Sequence, residues 1–249
     1  MNKIKLKTEE ELAIMLEGGK KLAEVKRRLA LLVKTDVSAL EIEEAACKII
    51  EELGAVPSFK KVPNYKWATC INVNDGVVHG IPRKDVIFKD GDVISVDVGV
   101  FYKDYHTDSA FSVNLGGTET AFLEAGRKCL NKAIESVKLG RTIYDISSTI
   151  EKTLKEANLN PIKALTGHGV GKDLHEAPAI PCYVDGDDLK HIKIVEGMAL
   201  AVEIMYTKGS ADLQMDNDGW TIRTEDGKIA ALFEDTVAVT KNGTFILTR

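Results

Sequence analysis

Aromatic residues are scarce: Phe, Trp and Tyr make up 6% of the 249 residues. There is no excess of positive charge either, with 33 Lys and Arg against 38 Asp and Glu and a net charge of −5. Binders of nucleic acid or anionic membranes gain affinity from clustered Lys and Arg, so this balance argues against both. The four cysteines, Cys47, Cys70, Cys129 and Cys182, form no C-x-x-C pair, which fits neither a zinc knuckle nor a disulfide framework. No stretch approaches the ~18 apolar residues of a membrane span. The start, MNKIKLKTEEEL, lacks the apolar core of a secretory signal. Together these absences predict a reduced, cytoplasmic protein with no membrane contact. What is present is ordinary: 44% hydrophobic and 29% charged residues, in a chain long enough to bury a core without staples.

Helix signals come in pairs. Thr8-Glu9-Glu10-Glu11 is a capping box, and Leu12, Leu16, Leu22, Val25, Leu29 and Leu32 follow at helical spacing to about Val33. Gly18-Gly19 within this run marks a close helix–sheet contact or a kink. Ser38-x-x-Glu41 opens a second helix, closed by Gly54. Two more helices are expected at 119–138 and 143–158. Strands are expected at 69–73, 93–100, 109–115, 199–205, 220–224, 230–233 and 236–240, with hairpin turns at 225–227 and 242–243. No Pro/Gly/Ser-rich linker interrupts the chain, which predicts one domain over 1–249.

The halves repeat one another. Val78-His79-Gly80-Ile81-Pro82 matches Leu174-His175-Glu176-Ala177-Pro178, an H-x-x-P in each. Gly91 and Gly197 each precede an apolar strand with a carboxylate six residues on, Asp97 and Glu203. The stretch from Asp108 to Val113 then parallels that from Glu234 to Val239. This order predicts two similar α/β halves, about 8–115 and 119–240, facing each other across a pseudo-two-fold and sharing one sheet.

Side chains alternate along a strand. Alternation puts Ile94, Val96, Val98 and Val100 on one face and Asp97 with Val93, Ser95 and Gly99 on the other. Likewise Glu203 lies with Ala199, Ala201 and Met205, Asp108 with Ala110 and Ser112, and Glu234 with Thr236 and Ala238. A solvated strand face usually carries Lys, Glu and Thr, whereas these carry one acid among small residues. If the halves face each other, four carboxylates converge and repel. Divalent cations relieve that, and hard oxygen ligands with one imidazole suit Mn, Fe, Co or Zn. The imidazole is His168, set in Gly167-His168-Gly169. His79 and His175 occupy equivalent places in the two halves and are read as substrate contacts; His106 and His191 are expected to be solvent-exposed.

The ordered set NDGVVHGIP, SVDVGVFYKDYHTD, TGHGVGKDLHEAP, AVEIM and FEDTV resembles the type I methionine aminopeptidases, over about residues 8–248. The resemblance implies the α/β pita-bread (creatinase/aminopeptidase) fold, with a curved, mostly antiparallel sheet and helices on its outer face. It implies two divalent metal ions (Co, Mn, Fe, Zn or Ni) held by Asp97, Asp108, His168, Glu203 and Glu234, with Asp108 and Glu234 bridging. A bridging water or hydroxide would attack the scissile carbonyl, Glu203 would shuttle the proton, and His175 and His79 would contact the substrate. The activity implied is removal of the N-terminal methionine when the second residue is small. Its partners would be nascent polypeptide N-termini met by a monomer, with contact at the ribosome left open. Tyr65, Cys70 and Trp220 fall where the family walls its methionine pocket, although Cys70 and Trp220 also fit plain packing roles. Three departures stand out: Ile204 where the family usually has Pro, Asp235 where it commonly has His, and Leu174 where an aromatic is frequent. Asp235 either adds charge to the site or points away from it. Two rivals share the fold. Proline-specific aminopeptidases or dipeptidases usually carry an extra N-terminal domain, and a metal-free binding module would lack ligands that are all present here.

Overall fold

The computed structural model describes residues 3–184 and 186–249. Both expected capping boxes form: the Thr8 and Ser38 hydroxyls accept from the Glu11 and Glu41 amides, and those carboxylates accept from the Thr8 and Ser38 amides in return. They start α1 (Glu9–Leu32) and α2 (Ala39–Glu52). In the second half, α3 (Thr120–Ser136) and α4 (Ile143–Glu156) follow the same plan. α1 runs unbroken through Gly18-Gly19, so the close-contact alternative holds. A Cβ on Gly19 would stand 2.3 Å from the Leu247 carbonyl oxygen, so the C-terminal tail crosses the helix there.

The first half contains β1 (Val56–Pro57), β2 (Thr69–Val73), β3 (Gly76–Val78), β4 (Val93–Tyr102) and β5 (Tyr105–Asn114). The second contains β6 (Asn160–Pro161), β7 (Thr166–Gly169), β8 (Glu176–Pro181), β9 (Ala199–Thr207), β10 (Leu213–Met215), β11 (Ile222–Thr224), β12 (Ala230–Thr240) and β13 (Gly243–Ile246). β4 pairs with β1, β2 and β5; the order in the second half is β13-β12-β9-β7-β8, with β6 on β9. Every pairing is antiparallel. A small β10-β11-β3 sheet ties the second half to the first. Ile94, Val96, Val98 and Val100 pack under α1 and α2, and Leu200, Val202 and Ile204 under α3 and α4, as alternation predicts.

Across the middle, β5 and β12 are joined by side-chain hydroxyls. Ser109 Oγ donates to the Glu234 carbonyl at 2.6 Å and Ser112 Oγ to the Leu232 carbonyl at 2.7 Å. Thr236 Oγ1 accepts from the Asp108 amide at 2.9 Å and donates to the Asp108 carbonyl at 2.7 Å. The seam between the sheet of the first half and that of the second is therefore stitched by side chains, not laddered.

Some boundaries differ from expectation. The strands expected at 230–233 and 236–240 are one, because Glu234 and Asp235 are buried and continue it. β5 starts at Tyr105, four residues early, after a tight turn at Lys103-Asp104 with φ of 45° and 68°. The 220–224 strand begins at Ile222, because the Trp220 and Thr221 amides are taken by the Asp218 carboxylate. Among the described residues, no helix is long and apolar enough to cross a membrane.

Candidate metal centre

The four acids arrive on four neighbouring strands. Asp97 on β4 stands opposite Ala110, and Asp108 on β5 opposite Gly99. Glu203 on β9 and Glu234 on β12 are direct cross-strand partners. Two carboxylates in that register destabilise a sheet unless something neutralises them. His168 on β7 is paired with Ala201, which brings its ring beside Glu203, with Nε2 3.9 Å from Oε1. His168 Nδ1 lies 2.9 Å from the Gly169 carbonyl, which only accepts, so Nδ1 carries the proton. That tautomer leaves the Nε2 lone pair aimed at the acids. Donor atoms of Asp108, His168 and Glu234 lie within 4.8 Å of one another.

Burial dominates the electrostatics. Asp108, Glu203 and Glu234 are buried and Asp97 is half-buried. Burial, then the Asp108 charge, raises Glu203, Glu234 and Asp97 well above the carboxylate range; burial alone pushes Asp108 up to about 7. Burial, then the His175 ring, lowers His168 to about 3, so it stays neutral. Asp97 Oδ1 and Glu234 Oε1 are buried with no hydrogen-bond partner. Orphaned carboxylate oxygens beside a neutral imidazole lone pair form a donor set that divalent cations complete.

A cavity of about 130 Å³ opens onto these donors. It is lined by all ten residues singled out in the sequence: the five donors together with Tyr65, Cys70, His79, His175 and Trp220. Phe59, Val62 and Val78, which carry no site role in the sequence, line it too, as does Leu174, the departure expected to alter the side-chain pocket. Part of the lining is apolar, built by Phe59, Tyr65, Cys70 and Leu174 with Trp220 packed against them, and Cys70 stands directly across the strand pair from Asp97. Tyr65 and Trp220 meet edge-on, with centroids 5.0 Å apart, and the Tyr65 hydroxyl donates to the Thr69 carbonyl at 2.8 Å. His175 is exposed at the rim, its ring edge-on to His168 with centroids 4.5 Å apart. His79 is half-buried and held at φ 59°; burial and the nearby His175 keep it below the usual imidazole range.

One expectation is corrected. His106 is buried rather than exposed, because the early start of β5 brings it onto the strand. Its Nδ1 is 2.7 Å from Ser58 Oγ and its amide donates to the Gly171 carbonyl at 2.7 Å. It therefore ties the Phe59 wall to the loop that carries His175, and burial lowers it to about 4. His191 is exposed, as expected.

The departures also resolve. Ile204 is fully buried on the helix side of β9, and Leu174 lines the cavity. Asp235 points away from the acids, while its charge still raises Glu234.

Sequence reasoning missed Glu43, whose carboxylate accepts from the Ala68 and Thr69 amides at 2.7 and 2.9 Å. These bonds fix the start of β2, next to Cys70. A signal existed: Ala39, Ile42, Ala46, Ile49 and Ile50 mark the buried face of α2, and Glu43 falls within it.

Residues 13–241 match the profile of metallopeptidase family M24. The chain is 38% identical to methionine aminopeptidase 1 of Bacillus subtilis and 39% identical to the methionine aminopeptidase of Aquifex aeolicus, covering 98% of both partners in each case. The crystal structure of the Thermotoga maritima methionine aminopeptidase superposes with a TM-score of 0.95 at 37% identity, over 99% of this chain and 100% of that one. The Pyrococcus furiosus prolidase shares only the fold, with a TM-score of 0.76 at 22% identity, over 98% of this chain but 65% of its own. The architecture is thus the pita-bread fold, and the chain belongs to metallopeptidase family M24, among its methionine aminopeptidases, and is an aminopeptidase of the hydrolase class.

Proposed function

We propose that this single-domain chain removes the N-terminal methionine from nascent polypeptides whose second residue is small, using two divalent ions. The observation that carries the reading is one cavity lined both by five ligand-type donors and by an apolar cluster of Phe59, Tyr65, Cys70 and Leu174. Asp97, Asp108, His168, Glu203 and Glu234 would hold the ions, with Asp108 and Glu234 bridging. When bound, the ions supply Lewis acidity, making a nucleophile of water near neutral pH and polarising the scissile carbonyl. Glu203 accepts the proton of the attacking water and returns it to the leaving amine. His175, exposed at the rim, donates a hydrogen bond to the carbonyl oxygen as charge develops there. His79 contacts the substrate backbone beside the scissile amide. The apolar part of the lining takes the methionine side chain, whose thioether suits a pocket of aromatic rings and a thiol. A substrate of newly made chains implies work in the cytoplasm.

The test sets a Met-Gly-x peptide against an x-Pro-x peptide, with manganese or cobalt added and again with chelator. Cleavage of Met-Gly-x alone, abolished by chelator, is expected. Cleavage of x-Pro-x with Met-Gly-x left intact overturns the reading.

A further inference from the structure

Asp235 occupies the chain position after a bridging acid, yet its carboxylate faces the opposite side of the sheet. It is 2% exposed and fully engaged. Oδ1 accepts from Lys26 Nζ at 2.9 Å and from Thr248 Oγ1 at 2.8 Å, with Ser109 Oγ at 3.3 Å; Oδ2 accepts from Arg249 Nε at 2.7 Å. Lys26 also donates to Ser109 Oγ, which donates onward to the Glu234 carbonyl. One carboxylate therefore gathers α1, β5, β12 and the C-terminal tail at a single point.

That point is the seam. No backbone ladder joins β5 to β12. The two residues linked there, Ser109 and Asp235, are the immediate chain neighbours of Asp108 and Glu234. Donor atoms of Asp108 and Glu234 lie within 4.8 Å of each other across the seam, and like charges that close repel while uncompensated. Something other than the sheet must hold their separation.

We infer that Lys26, Asp235 and Arg249 form a clamp on the outer face of the seam that positions Asp108 and Glu234 to bridge two ions. The inference rests on the dinuclear reading above. None of the three touches substrate; they are positioning residues acting through Ser109 and the two strands. A bridge is needed only when both places are filled, so the clamp governs the second ion more than the first.

Lys26 offers a test in which two explanations have opposite signs. If it acted only by its charge, removing it would tighten cation binding. If it positions, removing it loosens the second ion. Chelator-stripped wild type, Lys26→Met, Lys26→Arg and Asp235→Asn are titrated with manganese by calorimetry, after circular dichroism shows each folded. Lys26→Met and Asp235→Asn are expected to weaken the second ion by about tenfold or more while the first changes less, in the range seen when outer partners of metal ligands are removed. Lys26→Arg is expected to restore it. Second-ion binding that is unchanged or tighter in Lys26→Met overturns the clamp. Wild type taking up fewer than two ions overturns the dinuclear reading instead. If Lys26→Met fails to fold, Arg249→Gln, at the exposed chain end, removes another arm and must weaken the second ion or the inference falls.

Discussion

Both backbone polar groups of Asp108 are served by one hydroxyl, Thr236 Oγ1, which accepts from the amide at 2.9 Å and donates to the carbonyl at 2.7 Å. Thr236 itself is fully buried. Thr236→Val keeps the shape and deletes the hydroxyl, leaving two buried groups unpaired. Each costs about 1–3 kcal/mol, so a loss of roughly 3 kcal/mol is expected in urea denaturation. Thr236→Ser restores most of it. A loss under about 1 kcal/mol would mean the seam does not depend on this bond.

The acid cluster sets a pH dependence whose sign can be worked out. Asp108 sits at about 7, and Asp97, Glu203 and Glu234 lie well above the carboxylate range. Unfolded carboxylates titrate near pH 4. The folded chelated protein therefore holds more protons than the unfolded chain above about pH 4, and its stability falls as pH rises through the folded values. Lowered His168 and His79 act in the opposite sense, but only below the unfolded histidine value of about 6.5. Between about pH 6.5 and 8 the acids act alone, and the melting temperature of chelated protein should decline. Manganese should flatten that decline and release protons on binding, readable in weakly buffered calorimetry. A chelated protein whose melting temperature rises across this window contradicts the raised acids.

Local patterns made much of this legible. A period of two is set by neighbouring residues, so alternation alone put Asp97, Asp108, Glu203 and Glu234 on small-residue faces, and all four line the cavity. Capping boxes are equally local, and both appear as expected. Distant pairings were hidden. Glu43 acts on residues 25 and 26 positions away, Asp235 on Lys26 across 209, and Lys7 on Glu176 across 169. Nothing in a basic N-terminal stretch says which acid it will meet. His106 was misread because the Lys103-Asp104 turn carries none of the glycine that usually marks a positive-φ hairpin.

The ligand roles give a pair of variants with different signatures. His168→Ala removes the neutral imidazole and is expected to lower metal content per chain, measured by elemental analysis after desalting. Glu203→Gln keeps an oxygen donor but cannot carry the proton. Its kcat should fall by about 10²-fold or more, with a smaller change in KM, once the ions are added in excess. Full activity in either variant removes that residue from its assigned role.

Glu43 is expected to act on the apolar part of the cavity lining. Glu43→Ala leaves the buried Ala68 and Thr69 amides and the Thr69 hydroxyl without their acceptor. A cost of about 3 kcal/mol in denaturation is expected. The strand start that carries Cys70 and receives the Tyr65 hydroxyl then loosens, so KM for a Met-Gly-x peptide should rise more than kcat falls. Equal KM in variant and wild type would confine Glu43 to stability.

The last prediction concerns Lys7 and Glu176, whose side chains are 5% and 1% exposed and meet at 2.6 Å. Lys7 is anchored by its amide on the Gly197 carbonyl and by Nζ on the Lys5 carbonyl. Glu176 also accepts from the Asp173 amide, which closes the loop that presents His175. The contact is tight: a Cβ on Gly171 would stand 2.4 Å from Lys7 Cε. Lys7→Met strands a buried carboxylate, and removing one partner of such a pair costs about 3–5 kcal/mol. Replacing both by apolar residues of similar size is often neutral, so Lys7→Met with Glu176→Leu should recover most of the stability. The double variant then separates two roles of the pair. If it also holds the His175 loop in shape, the stable double variant keeps its metal content yet shows a reduced kcat, whereas full kcat would limit the pair to folding.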